Sequence, residues 1–209
     1  MKKKIVFIMN PISGTSSKAA VPSLIDSTLD KEQFEYEIKM TERPEHASEL
    51  AAEARDNHAD IVVAVGGDGT VNEVARSLVH SDSALGILPC GSGNGLARHL
   101  LLPMNLKKSI EIINACEIHD LDYGVINKYP FFCTCGMGFD AFVSMKFAES
   151  GKRGPISYAE NILREGLKYE PETYTLEDET GTKQYKAFLI SCANASQYGN
   201  NAYIAPQAS

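Results

Sequence analysis

The sequence predicts an α/β protein in which an N-terminal parallel sheet, with helices on both faces, is followed by an incomplete β-sandwich. Three patterns lead to this prediction. Short apolar runs alternate with segments of helical periodicity up to about residue 116, as in parallel sheets covered by helices. Glycine-rich turns follow three of those runs. Beyond residue 118, alternating segments rich in β-branched and aromatic residues indicate antiparallel strands.

The elements of the first half follow from hydrophobic periodicity. A continuous apolar run such as 61–65 is typical of a strand buried on both faces. Ala47, Leu50, Ala51 and Ala54 have the spacing of one helical face. We therefore predict strands at 5–9, 34–40, 61–65 and 85–88, and helices at 18–29, from residue 44, from residue 71, at 96–102 and at 106–116.

The second half has a different pattern, and a domain boundary is expected near residue 120. We predict strands at 119–127, 130–136, 173–179 and 184–193, a helical stretch at about 156–168, and a hairpin turn at 179–182. The resulting domains are 1–120 and 121–209.

Composition excludes several classes of protein. The 209 residues carry 20 Lys and Arg against 27 Asp and Glu, and the net charge of −7 argues against non-specific nucleic-acid binding. Five irregularly spaced cysteines do not form a disulfide framework, so we expect free thiols and a cytoplasmic protein. Because no apolar run reaches the length of a membrane span, we expect only peripheral membrane contact. The sequence leaves a homodimer possible.

Three glycine turns come directly after predicted strands: the first at 10–14, the second at 66–70 and the third at 91–95. Open parallel sheets bind ligands at the carboxyl ends of their strands. Glycines let phosphate oxygens approach the backbone, and helix N-termini attract anions. One such turn is usually only a tight connection between elements. Three at one sheet edge favour a polyphosphate ligand.

Two carboxylates stand out in the second glycine turn and the helix that follows it. Asp68 can reach Mg²⁺ or accept a proton from an attacking hydroxyl, and both roles suit phosphoryl transfer. The alternative is a turn aspartate that bonds its own backbone. Glu73 lies in the first helical turn, where a negative charge suits the helix dipole whether or not it meets a ligand. If Asp68 is catalytic, we expect Asp68→Asn to remove turnover and spare the fold.

These residues resemble the signature stretches of the diacylglycerol kinase catalytic domain, a family that includes bacterial lipid kinases and sphingosine and ceramide kinases. The stretches are Asn10-Pro11-x-Ser13-Gly14, Gly66-Gly67-Asp68-Gly69-Thr70-Val71-Asn72-Glu73-Val74 and Pro89-x-Gly91-Ser92-Gly93-Asn94-x-x-Ala97-Arg98. A weaker similarity continues through Gly136-Met137-Gly138-Phe139-Asp140-Ala141 to Tyr203-Ile204-Ala205-Pro206. NAD kinases and phosphofructokinases share the second stretch alone, but not the combination.

The resemblance implies an ATP-dependent lipid kinase that uses Mg²⁺ and acts on a diacylglycerol- or sphingoid-type lipid at a membrane surface. It implies that domain 1–120 binds the nucleotide and domain 121–209 the lipid. Asp68 would act on Mg²⁺ or on the substrate hydroxyl, and Asp140 would contact the lipid head group. The residues implied for ATP are Asn10, Pro11, Ile12, Ser13, Gly14, Thr41, Gly66, Gly67, Asp68, Gly69, Thr70, Val71, Asn72, Glu73, Ser92, Gly93 and Asn94.

Two alternatives stay open. A kinase of a soluble nucleotide such as NAD would share the second glycine turn but would not explain the Asn-Pro-x-Ser-Gly start. A non-catalytic nucleotide-binding remnant is the other, because relatives in the family are longer and continue with acidic residues that this sequence lacks. We therefore expect a fragment whose own activity is in doubt.

Overall fold

The structure, a computed structural model, describes residues 2–12, 18–142, 145, 166 and 169–209. Two residues predicted to bind ATP, Ser13 and Gly14, lie outside the described residues, as does nearly all of the predicted helical stretch at 156–168. The chain forms two compact units. Unit 1 comprises Met1–Cys133 and Asn194–Ser209, and unit 2 comprises Thr134–Ala193. The contiguous domains 1–120 and 121–209 stay a prediction. The compact units are defined differently, since the chain returns to unit 1 after Ala193.

Strands and helices alternate through most of unit 1. They are β1 (Lys3–Met9), α1 (Val21–Thr28), β2 (Phe34–Met40), α2 (His46–Asp56), β3 (Ile61–Gly66), α3 (Asp68–Leu78), β4 (Ala84–Pro89), α4 (Gly95–His99) and α5 (Leu106–Ala115). The four strands pair in parallel in the order β2-β1-β3-β4. This confirms the predicted parallel sheet.

Helices cover both faces of the sheet because residues 5–9 of β1 and 61–65 of β3 are apolar and buried at every position. One face of β1, including Val6 and Ile8, packs in a core with residues of α2, α3 and α4. The other face, including Phe7, packs in a second core with residues of α1 and α5. The two cores hold β1 and β3 as buried central strands and fix where their carboxyl ends lie.

Several predicted elements differ from the structure. The helix predicted at 96–102 is only α4, which ends at His99, because Leu101 adopts a left-handed backbone with φ of 57°. The segment 119–136 forms three short strands, β5 (Gly124–Ile126), β6 (Tyr129–Phe131) and β7 (Thr134–Gly138). Asn127, with φ of 56°, turns the chain between β5 and β6, which pair with each other.

The described part of unit 2 contains two β-ribbons and helical residues at 139–142. β8 (Glu172–Asp178) and β9 (Gly181–Ala187) form a hairpin, and β10 (Leu189–Ala193) pairs with β7. The strand predicted at 184–193 is therefore two strands with different partners, and the break falls at Phe188. Its carbonyl accepts a hydrogen bond from the N–H of Phe139 at 3.0 Å, where pairing with the β7 side begins.

Among the described residues, no helix combines the length and the apolar character needed to cross a bilayer.

Candidate functional site

The sheet of unit 1 has a topological switch point between β1 and β3. The chain leaves β1 toward β2 on one side, and β3 continues to β4 on the other. Ligands of open α/β sheets bind at such points, beyond the carboxyl ends of the strands. Asn10 ends β1 there, and its N–H donates to the carbonyl of Val65 at 3.1 Å. The first and second glycine turns thus begin side by side.

The second glycine turn leaves the N-terminus of α3 open. No described group accepts a hydrogen bond from the backbone N–H of Asp68, Gly69 or Thr70. A Cβ built on Gly69 has no atom within 4 Å, so the turn faces open space there. Gly66 is different, because a side chain at that position would collide with Thr70. Three free donors and the positive end of a helix dipole form a site suited to an anion.

Asp68 connects the second glycine turn to the third. Its carboxylate accepts hydrogen bonds from the backbone N–H of Asn94 at 2.9 Å and of Gly95 at 2.6 Å. It therefore bonds the start of α4. The alternative prediction, an aspartate that bonds the backbone of its own turn, does not describe these hydrogen bonds. Each oxygen accepts one of these bonds and keeps a further lone pair, and the side chain is exposed. Asp68 can hold the third turn and still face a ligand.

The third glycine turn is closed by its own side chain and by close backbone packing. Asn94 has a left-handed backbone with φ of 54°. Its Oδ1 accepts from the N–H of Gly91 and its Nδ2 donates to the carbonyl of Gly91, both at 2.9 Å. A Cβ built on Gly67 would lie 3.0 Å from the Cα of Gly91, so the two turns touch through their backbones. Ser92 lies inside this closed turn.

The segment 196–205 covers the third turn, a contact that the sequence did not predict although the weaker family similarity extends to Tyr203-Ile204-Ala205. The carbonyl of Gly93 accepts from Nε of Arg98 at 3.0 Å and from the N–H of Asn200 at 3.3 Å. Gly199 has a φ of 117°, and a Cβ there would lie 2.6 Å from the carbonyl oxygen of Gly93. The only other signal in the sequence is the Gly-Asn-Asn tripeptide, which has ordinary turn composition.

Glu73 has a structural partner in the described chain. Its Oε2 accepts from the backbone N–H of Ala47 at 3.1 Å and so caps α2, which has no side-chain cap of its own. Burial raises the pKa of the Glu73 carboxyl, and the N–H of Ala47 opposes that rise. Val71 is buried in the core, whereas Asn72 is exposed on α3.

The other residues predicted for ATP surround the ends of β1 and β2. Oδ1 of Asn10 accepts from the N–H of Ile12 at 3.0 Å, and Pro11 and Ile12 are exposed. Thr41 is buried beside them, with its N–H donating to the carbonyl of Met9 at 2.9 Å.

Lys18 belongs to the same edge, although the sequence analysis did not single it out. It is only 7% exposed, and its Nζ donates to the carbonyl of Asn10 at 2.7 Å.

Asp140, the residue predicted for the lipid head group, lies in unit 2. It is the second residue after β7, and the described residues 139–142 are helical. Its Oδ1 accepts from the N–H of Ala141 at 2.7 Å. Its Oδ2 occupies the space above Gly136, where a Cβ would lie 2.7 Å away. Glycine at 136 therefore makes room for the carboxylate.

The described residues fit a polyphosphate and one divalent cation. The free N–H groups at the start of α3 suit phosphate oxygens. No group of three His, Cys, Asp or Glu side chains gathers in the part of the chain that the structure describes. Mg²⁺ is commonly held by one or two carboxylates together with substrate phosphates, so a single exposed Asp68 is sufficient for such a site.

Comparison with protein families decides the ancestry of this site. Residues 4–126 match the diacylglycerol kinase catalytic domain. The chain belongs to this family. Residues 133–209 match the YegS C-terminal NAD kinase beta sandwich-like domain, which confirms the predicted sandwich class of the second half.

Similar proteins carry kinase names and are longer. The chain is 31% identical over 163 residues to the diacylglycerol kinase of Staphylococcus saprophyticus, covering 76% of this chain and 53% of that protein. It is 29% identical over 187 residues to the "Probable lipid kinase YegS" of Escherichia fergusonii, covering 86% and 62%. A crystal structure of a diacylglycerol kinase from Bacillus anthracis shares the fold at 22% identity, with a TM-score of 0.72 over 97% of this chain and 67% of that one. The chain thus spans about half to three fifths of the length of these curated relatives.

Proposed function

We propose that this chain carries the nucleotide site of an ATP-dependent lipid kinase, which transfers the γ-phosphoryl group of ATP to a hydroxyl of a diacylglycerol- or sphingoid-type lipid. The observation that carries the proposal is the open N-terminus of α3 at the switch point. Family membership supports the kinase class, and the names of the relatives support a lipid acceptor.

The geometry gives the phosphates a defined location. The N–H groups of Asp68, Gly69 and Thr70 have no acceptor among the described residues, and the space that a Cβ of Gly69 would enter is open. A phosphate there would accept these donors and complete the N-terminus of α3. The apolar strands behind the turn keep the site rigid, which positions the transferred group.

Asp68 is the residue that we place at the reacting phosphate. Bound Mg²⁺ would neutralise charge on the phosphate oxygens, and the free lone pairs of Asp68 are suited to hold it directly or through water. In the transfer, the lipid oxygen forms a bond to the γ-phosphorus, the bond to the bridging oxygen breaks, and ADP leaves. The hydroxyl proton must pass to a base, and Asp68 is a candidate for accepting it. In unit 2, Asp140 is our proposed contact for the lipid head group.

Substitution of Gly69 tests the phosphate location without disturbing the protein. The Gly69→Ala methyl group enters empty space, and alanine in a helix is more stable than glycine by roughly 0.5–1 kcal/mol. The Cβ tilts toward the helix N-terminus, where the phosphate must sit. We expect ATP affinity, measured by calorimetry, to fall at least tenfold while the melting temperature is unchanged or higher. Unchanged ATP affinity would refute the location.

The acceptor class is tested by transfer of labelled phosphate from ATP. Diacylglycerol and a sphingoid base are offered in mixed micelles, and NAD is offered in parallel. Labelled lipid supports the proposal. Labelled NAD with no labelled lipid would assign the site to a soluble nucleotide kinase instead.

A further inference from the structure

The chain leaves α4 through a Schellman motif whose left-handed position holds a leucine. The N–H of Leu102 donates to the carbonyl of Ala97 at 2.9 Å, and the N–H of Leu101 donates to that of Arg98 at 3.1 Å. Leu101 has a φ of 57°, where glycine or asparagine is usual and a bulky side chain is strained. Its side chain is 89% exposed, so no burial offsets the strain. Neither the backbone nor the core explains a leucine here.

A second feature that opposes stability lies in the first turn of α5. Lys107 and Lys108 occupy its second and third positions, where positive charge is unfavourable because the helix dipole is positive at that end. Both are exposed, and neither forms an ion pair within the described part of the chain. Residues 83–110 contain no Asp or Glu, and the next acidic residue, Glu111, lies one turn further along α5. The lysines therefore give this turn a local positive charge.

The exposed leucine and the two lysines belong to one connection between helices. Oγ of Ser109 donates to the carbonyl of Pro103 at 2.6 Å, which holds the loop after Leu101 on the start of α5. Leu100, at the end of α4, is also exposed, at 39%. We call these exposed side chains the apolar-basic surface, and its members are Leu100, Leu101, Lys107 and Lys108.

The apolar-basic surface lies at the same edge of the sheet as the glycine turns. The third glycine turn leads directly into α4. From its start, α5 runs along the sheet, packing through Ile110 and Ile113. It ends at Cys116, whose Sγ accepts from Nζ of Lys3 at 3.2 Å, where β1 begins. Since α5 ends at the amino ends of the strands, its first turn lies toward their carboxyl ends.

We propose that the apolar-basic surface docks unit 1 on an anionic lipid bilayer, with its leucines in the interface and its lysines at head-group phosphates. The choice of a bilayer rests on the proposed function, because the lipid acceptor resides in a membrane. Charge complementarity favours this occupant over a symmetric contact with a second copy, whose lysines would repel those of the first. The bilayer would remove the leucines from water and give the lysines opposite charge.

The test measures partitioning onto sedimented vesicles of phosphatidylcholine, alone or mixed with an equal part of phosphatidylglycerol. Substrate lipid and ATP are left out, so that only docking is measured. Leu101→Asn removes the apolar group and keeps a residue that tolerates the left-handed backbone. The paired variant Lys107→Gln/Lys108→Gln removes the two charges. Leu101→Gly is the second variant at that position, and melting temperatures verify folding.

The matched controls change the same types of side chain at the opposite edge of the sheet. Ile118, two residues beyond the end of α5, is 61% exposed, and Ile118→Asn removes an apolar group of the same size. The pair Lys2→Gln/Lys3→Gln, at the start of β1, changes the net charge of −7 by the same amount as the lysine variant. We expect both controls to bind vesicles as the parent does.

We expect Leu101→Asn to weaken binding to the anionic vesicles roughly tenfold, as for one leucine withdrawn from an apolar environment. The lysine pair should weaken it roughly thirtyfold, since each lysine is attracted to an anionic leaflet. Raising the salt should shrink the lysine effect and leave the leucine effect. Melting temperatures of the variants should equal or exceed that of the parent, because each substitution removes a feature that opposes stability.

Two results would overturn the inference: a parent that binds anionic vesicles no better than neutral ones, or folded variants that bind as tightly as the parent. A dimer of the parent that Leu101→Asn dissociates, without vesicle binding, would assign the surface to a second copy and also overturn it. Failure of the proposed function has a different signature. In that case vesicle binding and its loss in the variants persist, while labelled phosphate passes to NAD and not to lipid.

Discussion

The second and third glycine turns have similar sequences but opposite relations to their surroundings. Both join a buried strand of the same sheet to a helix. The second leaves the N–H groups of Asp68, Gly69 and Thr70 without acceptors and faces open space. In the third turn, the N–H groups of Asn94 and Gly95 are bonded by Asp68. One turn is available to a ligand, and the other is used to hold the protein together.

The difference shows that glycine serves two purposes at this sheet edge. At Gly69 it keeps the approach to a helix N-terminus clear. At Gly67 and Gly91 it lets the backbones of the second and third glycine turns touch. At Gly199 it lets the segment 196–205 pack on Gly93 of the third turn. The same motif chemistry therefore does not predict the same role, and substitutions can separate the two.

The largest expected effect is the contrast between Gly91→Ala and Gly69→Ala. A methyl group at 91 would collide with the Cα of Gly67 and the Oδ1 of Asn94, so backbone must move. We expect a loss of about 1–3 kcal/mol in the free energy of unfolding, as for other overpacked sites. Gly69→Ala should lose none. Urea unfolding of both variants without nucleotide measures the contrast, and equal stabilities would contradict it.

Asp68→Asn should have the next largest effect, and it acts on the connection between the turns. The amide has nearly the same shape but only one acceptor oxygen, so its NH₂ group must face the N–H of either Asn94 or Gly95. We expect a loss of about 1 kcal/mol in stability without ligand, toward the low end for a lost hydrogen bond because Asp68 is exposed. The expectation that this substitution spares the fold, drawn from isosteric shape alone, is revised accordingly.

A stability measurement on metal-free Asp68→Asn checks this revision. A stability equal to the parent would mean that the carboxylate is not needed by the third turn. A deficit in turnover could then be assigned to the reacting phosphate. Asn72→Asp is the control, because it exchanges an amide and a carboxylate at an exposed position near the start of the same helix, α3.

The parallel sheet could be predicted from the sequence, but the contacts among the turns at its edge could not. Runs such as 61–65 predict buried strands because burial on both faces demands apolar residues at every position. The contact of Gly93 with Gly199 joins positions over a hundred residues apart, and no local pattern encodes it. Lys18 was missed because one lysine before a helix has ordinary composition. Its burial depends on how the chain after β1 meets the sheet.

The smallest predicted effect concerns Glu73, which caps a helix as Asp68 does but away from the open turn. Burial raises the pKa of its carboxyl above the ordinary 4.5, so the folded state binds the proton more tightly than the unfolded chain. Stability associated with this group is therefore present below pH 4.5 and declines as pH rises through the raised pKa. Glu73→Gln keeps an acceptor for the N–H of Ala47 and removes this decline.

We expect the stability of the parent to fall relative to that of Glu73→Gln as the pH rises from below 4.5 to neutral. The difference is small because much of the carboxyl remains in contact with solvent. Urea unfolding across this pH range measures it, with Glu35→Gln on the exposed face of β2 as a control for the lost charge. Parallel curves for parent and Glu73→Gln would show that the carboxylate is not penalised by burial. Glu73 would then be as available to a ligand as Asp68, and the distinction between the two capping carboxylates would fail.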